Sequence, residues 1–459
     1  MADKFLIRAF DVGLGDCIYC GIPGAATTDG KPDTFHMLID CGSWSGMPYL
    51  QVALKNLARL LPDVEGGRKR LDLVVVTHEH KDHIAGFDPA LFADFRIGAI
   101  WMNAAMNPDH AQAKKSMALH GIAASAMRGL AASGFAESPE IQDLVSLLNI
   151  DNDGAMTSLR QTIPASSGIK ARYVHAGQTN DDLALPLNGK TKIHVLGPEE
   201  DIDRFYLGKN VEKTLRGMAA ATPQPEQPAV QPPEASSVQS IPTNISAAEF
   251  RQLRSRMLSS ALAFAELSSK VTNNTSVVLL IEWESRRLLF VGDAEWDAGF
   301  REGKSNGAWN VMWNRQPGML QEGIDFLKVG HHGSENATPW NDQQDGKRSE
   351  PGDILDAILP LPDDGQQPSA MAVVSTERGK YRTIPRAALL TELGRRVAST
   401  RRYKDGFAAH GLDVTSVPKF DEFERSWIDA PQPLRTDFER LLDAKGYVDI
   451  EISAKAAGA

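Results

Sequence analysis

Four side chains able to bind a metal ion, His78, His80, Asp82 and His83, fall within six residues of the run Thr77-His-Glu-His-Lys-Asp-His83. Only 11 histidines occur in 459 residues, so a solvated loop with chance histidines is a poor account of this density. Neutral imidazole and carboxylate suit Zn²⁺, and also Mn²⁺ or Fe. The run directly follows Leu71–Val76, a continuous apolar stretch of the kind buried on both faces of a parallel sheet. In extended backbone, residues two apart share a face, so His78 and His80 point the same way. The chain must then turn, because Ile84-Ala-Gly86 begins a different pattern, and the turn lets Asp82 and His83 address a second position beside the first.

Two later clusters fit the same chemistry. Val291-Gly-Asp293 ends an apolar strand, where a carboxylate can project from a sheet edge. Phe326-Leu-Lys-Val-Gly-His331-His332-Gly-Ser334 ends another with two imidazoles and a glycine turn. Alone, Asp293 reads as a turn or capping residue, and the histidine pair is as compatible with surface as with ligation. Beside the first run they supply what a two-ion site lacks, a bridging carboxylate and a closing imidazole.

The elements that must position these groups are legible in outline. Residues 4–20 read as two short strands, Phe35–Asp40 as a third, and Ile97–Met102 as a continuous apolar strand. Leu50, Ala53, Leu54, Leu57 and Leu61 give helical spacing over Tyr49–Leu61. The first hundred residues thus read β-β-β-α-β-α-β, an α/β layer arrangement. Residues 106–165 turn to Ala, Met, Ser and Leu at helical spacing. Strand patterns return at Lys170–Val174 and Lys192–Leu196. Residues 222–243 are rich in Pro, Gln and Ser and bury too little apolar surface to offset their ordering entropy. Ser246 and Glu249 form a capping-box start to a helix running to about Lys270. Strands follow at Ser276–Trp283, Arg287–Val291, Phe326–Val329 and Ala372–Ser375, with a helix over 386–397.

Composition sets outer limits. The 42% hydrophobic and 24% charged content is globular, and the net charge of −10 excludes a global basic footprint for nucleic acid. Three cysteines cannot form a disulfide framework in a chain this long, and Cys17 and Cys20, three apart on a strand, face opposite sides. With no signal-peptide pattern and no apolar stretch of about 18 residues, a cytoplasmic protein without membrane contact is the expectation.

The motif order resembles the metallo-β-lactamase superfamily and, within it, the ComEC/Rec2-like branch. Asp11-Val-Gly-Leu-Gly-Asp16 is similar to that branch's N-terminal signature and Leu38-Ile-Asp40-Cys-Gly42 to its second strand. His78-x-His80-x-Asp82-His83 matches the superfamily's defining motif. Asn273-Asn-Thr-Ser276, Gly292-Asp293 and His331-His-Gly-Ser334 follow in the branch's order. The resemblance covers about residues 4–105 and 170–395. It implies an α/β fold, an αββα four-layer sandwich with a helical insertion and a Pro-rich linker. The corresponding division is 1–105 and 166–218 for the first part of the core, 106–165 for the insertion, 219–245 for the linker, 246–399 for the second half of the core and 400–459 for a C-terminal extension.

The resemblance further implies two divalent ions, Zn²⁺ first, and hydrolysis by a metal-bound hydroxide. His78 and His80 would hold one ion, Asp82 and His83 the other. Asp293 would bridge, and His332, rather than His331, would close the second site. Asp82 would also orient or deprotonate the attacking water. The branch favours a phosphodiester substrate, nucleic acid included. A small-molecule ester or lactone hydrolase and a non-catalytic interaction module are the other readings.

The chain departs from the pattern in three places. A further histidine ligand usual in the superfamily has only His110, His120, His175 and His194 as candidates, of which His175 at a strand end fits best, with Asn273 or Asn274 as stand-ins. The branch's His-Pro is replaced by Tyr381-Arg-Thr-Ile-Pro385. The membrane channel domains of DNA-uptake relatives are not expected alongside the hydrolase.

Overall fold

The computed structural model describes residues 4–28, 30–132, 152–207, 262–263, 265–304, 307–341, 348–377, 384–398 and 446–455. The Pro-rich linker, the Ser246/Glu249 helix start and Tyr381–Thr383 lie outside the described residues.

Two sheets stack face to face. The first is eight-stranded, in the order β13-β1-β2-β3-β5-β6-β7 with β4 on β5. Its strands are β1 (Lys4–Phe10), β2 (Ile18–Thr28), β3 (Lys31–Ile39), β4 (Asp63–Val64), β5 (Arg68–Val76), β6 (Phe95–Asn103), β7 (Ala171–Val174) and β13 (Tyr447–Ser453). The second is five-stranded, β12-β11-β10-β9-β8, built from β8 (Thr191–Gly197), β9 (Val278–Trp283), β10 (Arg286–Phe290), β11 (Phe326–Val329) and β12 (Met371–Val374). Helices cover both outer faces: α1 (Met47–Ala58) and α2 (Lys81–Ile84) on the first sheet's side, α4 (Ala308–Arg315), α5 (Glu350–Ile358) and α6 (Ala387–Gly394) on the second's.

Period-two alternation produces the layers. Along β9, Leu279 and Ile281 enter the core between the sheets while Val278 and Leu280 pack under the outer helices. Ile7, Met37, Leu73 and Val75 meet Leu279, Ile281, Leu288 and Phe290 across the sandwich. Helix α1 buries Leu50, Ala53, Leu54 and Leu57, the spacing of one helical stripe, against the first sheet's outer face. Cys17 and Cys20 do face opposite sides, Cys17 in the outer core and Cys20 between the sheets, and all three cysteines are free and buried. Among the described residues no helix is long and apolar enough to cross a membrane.

The parallel pairings aim the chain at one place. β3, β5, β6 and β7 run parallel, as do β10, β11 and β12. Loops leaving the carboxyl ends of such strands are where α/β sheets gather ligand-binding groups. A bond from Val277 N to Thr77 O (3.0 Å) ties the two sheets together at that edge.

Two elements differ from the sequence reading. The helix expected to stop near Lys270 continues to residue 274, because Asn274 donates back to Lys270 O (2.9 Å) and its own Oδ1 accepts from Ala308 N and Glu295 N. The stretch 400–459, read without a usable pattern, supplies β13, antiparallel to β1 from Lys4↔Ser453 to Phe10↔Tyr447. Val448, Ile450 and Ile452 alternate inward, and Arg8 grips Asp449 through two bonds of 2.6 and 2.7 Å. Its pairing partner lies more than 400 residues away, so nothing local announces it. Ile450→Ala should therefore lower the unfolding free energy by about 2–5 kcal/mol, as for a core isoleucine. Denaturant titration checks this; a loss within error of zero would place β13 outside the cooperative core.

Candidate metal centre

Loops from the carboxyl ends of β3, β5, β10, β11 and β12 converge on one point. After β5 the chain leaves regular structure at Thr77 and His78, bends at Glu79 and is extended at His80 (φ −70°, ψ 149°), immediately before α2. His78 and His80 share a side, their rings 4.7 Å apart and Nε2 and Nδ1 separated by 3.1 Å. Helix α2 then turns Asp82 and His83 toward a neighbouring position.

Two groups of donor atoms result, each within 4.8 Å: His78, His80 and Asp293, and Asp82, His83 and His332. Asp293 Oδ2 stands 3.6 Å from His78 Nε2 and 3.2 Å from His83 Nε2, between the two groups. His332 Nε2 meets Asp82 Oδ2 at 2.9 Å. His331 belongs to neither group. It lies at the rim, 23% exposed, with Nε2 3.9 Å from Asp293 and Nδ1 3.4 Å from Glu295.

A surrounding layer sets ring orientation. Thr77 Oγ1 donates to Asp40 Oδ2 (2.6 Å) and so accepts from His78 Nδ1 (3.0 Å), leaving Nε2 facing inward. Asp40 Oδ2 accepts from His83 Nδ1 (2.7 Å), and the Ser375 carbonyl accepts from His332 Nδ1 (2.8 Å). Carboxylates and carbonyls in this position fix the tautomer and raise ligand basicity. Ser276 Oγ lies 3.3 Å from His78 Nδ1 and accepts from Asp293 N (3.1 Å), coupling the two. Asp40, His331 and His332 have φ of 56°, 40° and 54°, left-handed values that non-glycine residues adopt at a cost and that cluster at functional sites.

Two glycines admit backbone where no side chain fits. A Cβ on Gly42 would lie 2.1 Å from Asp82 C and His83 N, and one on Gly15, at φ 151°, 2.5 Å from Gly42 O. The Asp11–Asp16 and Leu38–Gly42 motifs thus press their backbones directly against the Asp82–His83 turn, with Asp16 N donating to Asp82 O and Cys41 N to His83 O, each at 2.9 Å.

The electrostatics fit cation binding. Burial holds His78 well below the ordinary imidazole range and brings His80 down to about 4, so both are neutral ligands at neutral pH. Burial also opposes charge on His83, but Asp293 and Asp40 overcome it and hold His83 well above that range. Burial disfavours the ionised forms of Asp82 and Asp293. The His332 hydrogen bond and His83 pull Asp82 below the usual carboxylate range, and His83 and His331 do so for Asp293. His83 Nε2 and Asp293 Oδ2 are buried without a hydrogen-bond partner despite their 3.2 Å approach. Orphaned donor atoms of metal-binding type, aimed at one another, fit a divalent ion between them.

The four candidates for the further histidine ligand fall as follows. His175, favoured from sequence, binds its own loop through Ala176 O and Gln178, and His194 pairs with Glu282 at 3.0 Å. His110 accepts from Ala113 N at the start of α3 (Ala113–Ala132). None of these three sits at the centre. His120, on α3, stands closest, with Nδ1 3.9 Å from Glu79 Oε1. Of the stand-ins, Asn274 is engaged in the backbone bonds described above, whereas Asn273 Oδ1 is buried without a partner while its Nδ2 donates to Glu295 (2.8 Å). His175 looked best because it ends a strand, but β7 ends at the edge of the sheet, away from the convergence point.

Two stacked sheets with helices on both outer faces form an α/β sandwich consistent with the metallo-β-lactamase fold. A family model for the metallo-beta-lactamase superfamily matches residues 31–94, from β3 to the loop before β6, and supports placing the chain in that superfamily. No curated protein matches the chain.

Two outcomes follow. On acidification from neutral pH, an ion on the Asp82/His83/His332 group should leave before one on His78 and His80, because His83 already favours its proton, while burial weakens proton binding at both His78 and His80, bringing His80 down to about 4. Metal content after dialysis across a pH series reads this; simultaneous loss would contradict it. Gly42→Ala should displace the Asp82–His83 turn and reduce bound metal to at most one ion per chain, measured by elemental analysis; two retained ions would show that the close approach is dispensable.

Proposed function

We propose that this chain is a two-ion hydrolase acting on phosphodiesters, with nucleic acid among its substrates. The observation that carries the reading is Asp293 Oδ2 lying within 3.6 and 3.2 Å of one histidine from each donor group, the placement a bridging ligand needs. His78 and His80 with Asp293 would hold one ion, and Asp82, His83 and His332 with the same carboxylate the other. Imidazole and carboxylate favour Zn²⁺, with Mn²⁺ or Fe compatible. When bound, a pair of divalent ions lowers the pKa of water and stabilises the charge of an in-line displacement at phosphorus.

The protein's own groups complete the chemistry. Asp82, kept ionised by His332 and His83, is an acceptor for the proton of an attacking water. Lys81, adjacent to it in sequence and with Nζ 5.3 Å from the Trp44 ring, would supply a cation for an anionic substrate. This local charge matters because the chain as a whole carries −10. The order of motifs, similar to the ComEC/Rec2-like branch, supports a phosphodiester over a lactone or thioester.

Metal-loaded protein should cleave bis(p-nitrophenyl) phosphate and at least one of single-stranded DNA and RNA. The double substitution His80→Ala, Asp82→Ala should abolish both metal content and turnover while leaving the circular dichroism spectrum unchanged. Turnover of a lactone panel without any phosphodiester cleavage would replace the reading with a small-ester hydrolase, and undiminished turnover in the double variant would refute the site.

A further inference from the structure

Strand β11 carries a lysine that its apolar neighbours do not explain. Leu327 and Val329 pack under the outer helices, while Phe326 enters the core between the sheets. Alternation sends Lys328 to that same inner face, at the end nearest the metal centre. There it is buried, its side chain 3% exposed, and its Nζ donates to Asp16 Oδ2 (2.6 Å) and to Val329 O (2.9 Å). Asp16 comes from the other sheet, from the loop joining β1 to β2.

Asp16 is fastened to the ligand-bearing turn. Its N donates to Asp82 O and its O accepts from Gly42 N, each at 2.9 Å. Its Oδ2 lies 3.9 Å from His83 Nδ1, and Oδ1 is buried without a partner. Asp16, Asp40 and His83 form a third group of donor atoms within 4.8 Å, of the kind that can hold an ion. Here the ammonium of Lys328 already supplies the positive charge. His83 Nδ1 is engaged by Asp40, so this ammonium, 2.6 Å away against 3.9 Å for His83, is the nearer cation for the buried Asp16 carboxylate.

We propose that Lys328 is a built-in cation occupying the electrostatic role of a third ion, and that its pair with Asp16 is a positioning device. Lys328, anchored in the second sheet, holds Asp16, and Asp16 holds the backbone of Asp82, and with it the turn into His83, against the His332 side of the centre. Lys328 bonds no member of the His78/His80/Asp293 or Asp82/His83/His332 groups and acts through Asp16. The inference deepens the metal-centre reading and rests on it for its affinity arm, but not for its exchange arm.

The test uses Lys328→Met, Asp16→Asn and the double variant in the full chain. In metal-free protein, amide exchange over residues 80–86 should accelerate at least about ten-fold in each single variant relative to residues 278–283. In metal-loaded protein, chelator competition should show the weaker ion bound about 10–100-fold less tightly. The double variant carries no unpaired buried charge and should regain much of the thermal stability lost in Lys328→Met, yet keep the reduced affinity and fast local exchange. That separation distinguishes positioning from support of the fold. Wild-type exchange over 80–86 in the double variant, or acceleration equal in both segments, would overturn the proposal. If wild-type protein takes up no ion, the metal reading fails and the exchange comparison alone decides the clamp.

Discussion

Imidazoles and carboxylates crowded within a few ångströms and shut away from water are stable only if their charges cancel and their outward-facing atoms are bonded. Burial costs each charged group several kcal/mol unless it is compensated. Here Asp293 lies between His78 and His83, and Asp82 is closed by His332. The remaining ring nitrogens are turned outward to Thr77, Asp40 and Ser375. His83 Nε2 and Asp293 Oδ2, left facing each other, demand a cation between them, the His83 proton or a divalent ion in its place.

That demand explains the architecture around it. Ligands on one sheet alone could not surround an ion, so the carboxyl ends of both sheets must meet. The inter-sheet core of Leu73, Val75, Leu279 and Phe290 fixes their separation, and the Val277–Thr77 bond and the Lys328–Asp16 pair fix it again at the site itself. Rigid strands set the position, and short loops with glycine or left-handed residues turn the side chains inward. Precision comes from the packing below, and strain is confined to the few residues that bind.

Much of this was legible in the residues. The apolar runs gave β5, β6, β9 and β11, and the helical stripe gave α1, with ends shifted by a few positions. The histidine-rich turn announced itself because its donor atoms are close in sequence. Asp293 and the His331–His332 pair could be joined to it only by donor type and by resemblance, since no local pattern says that residues more than 200 positions apart will touch. The further histidine illustrates the limit. His175 ends a strand, His110 caps a helix and His194 lies inside β8, features sequence can suggest, but only the direction in which each element runs says whether it reaches the centre.

By itself, then, the sequence determined the elements, the donor types and their pairing within the Thr77–His83 turn, because hydrophobic periodicity and strand geometry act over a handful of residues. Tertiary structure alone decided three things: that β13 returns to pair with β1, that His331 lies at the rim while His332 faces Asp82, and that Lys328 meets Asp16 beneath the centre. Each depends on a contact between segments distant in the chain. Such contacts arise only when the two sheets close on a shared core, and their energies belong to the assembled sandwich rather than to any stretch of residues within it.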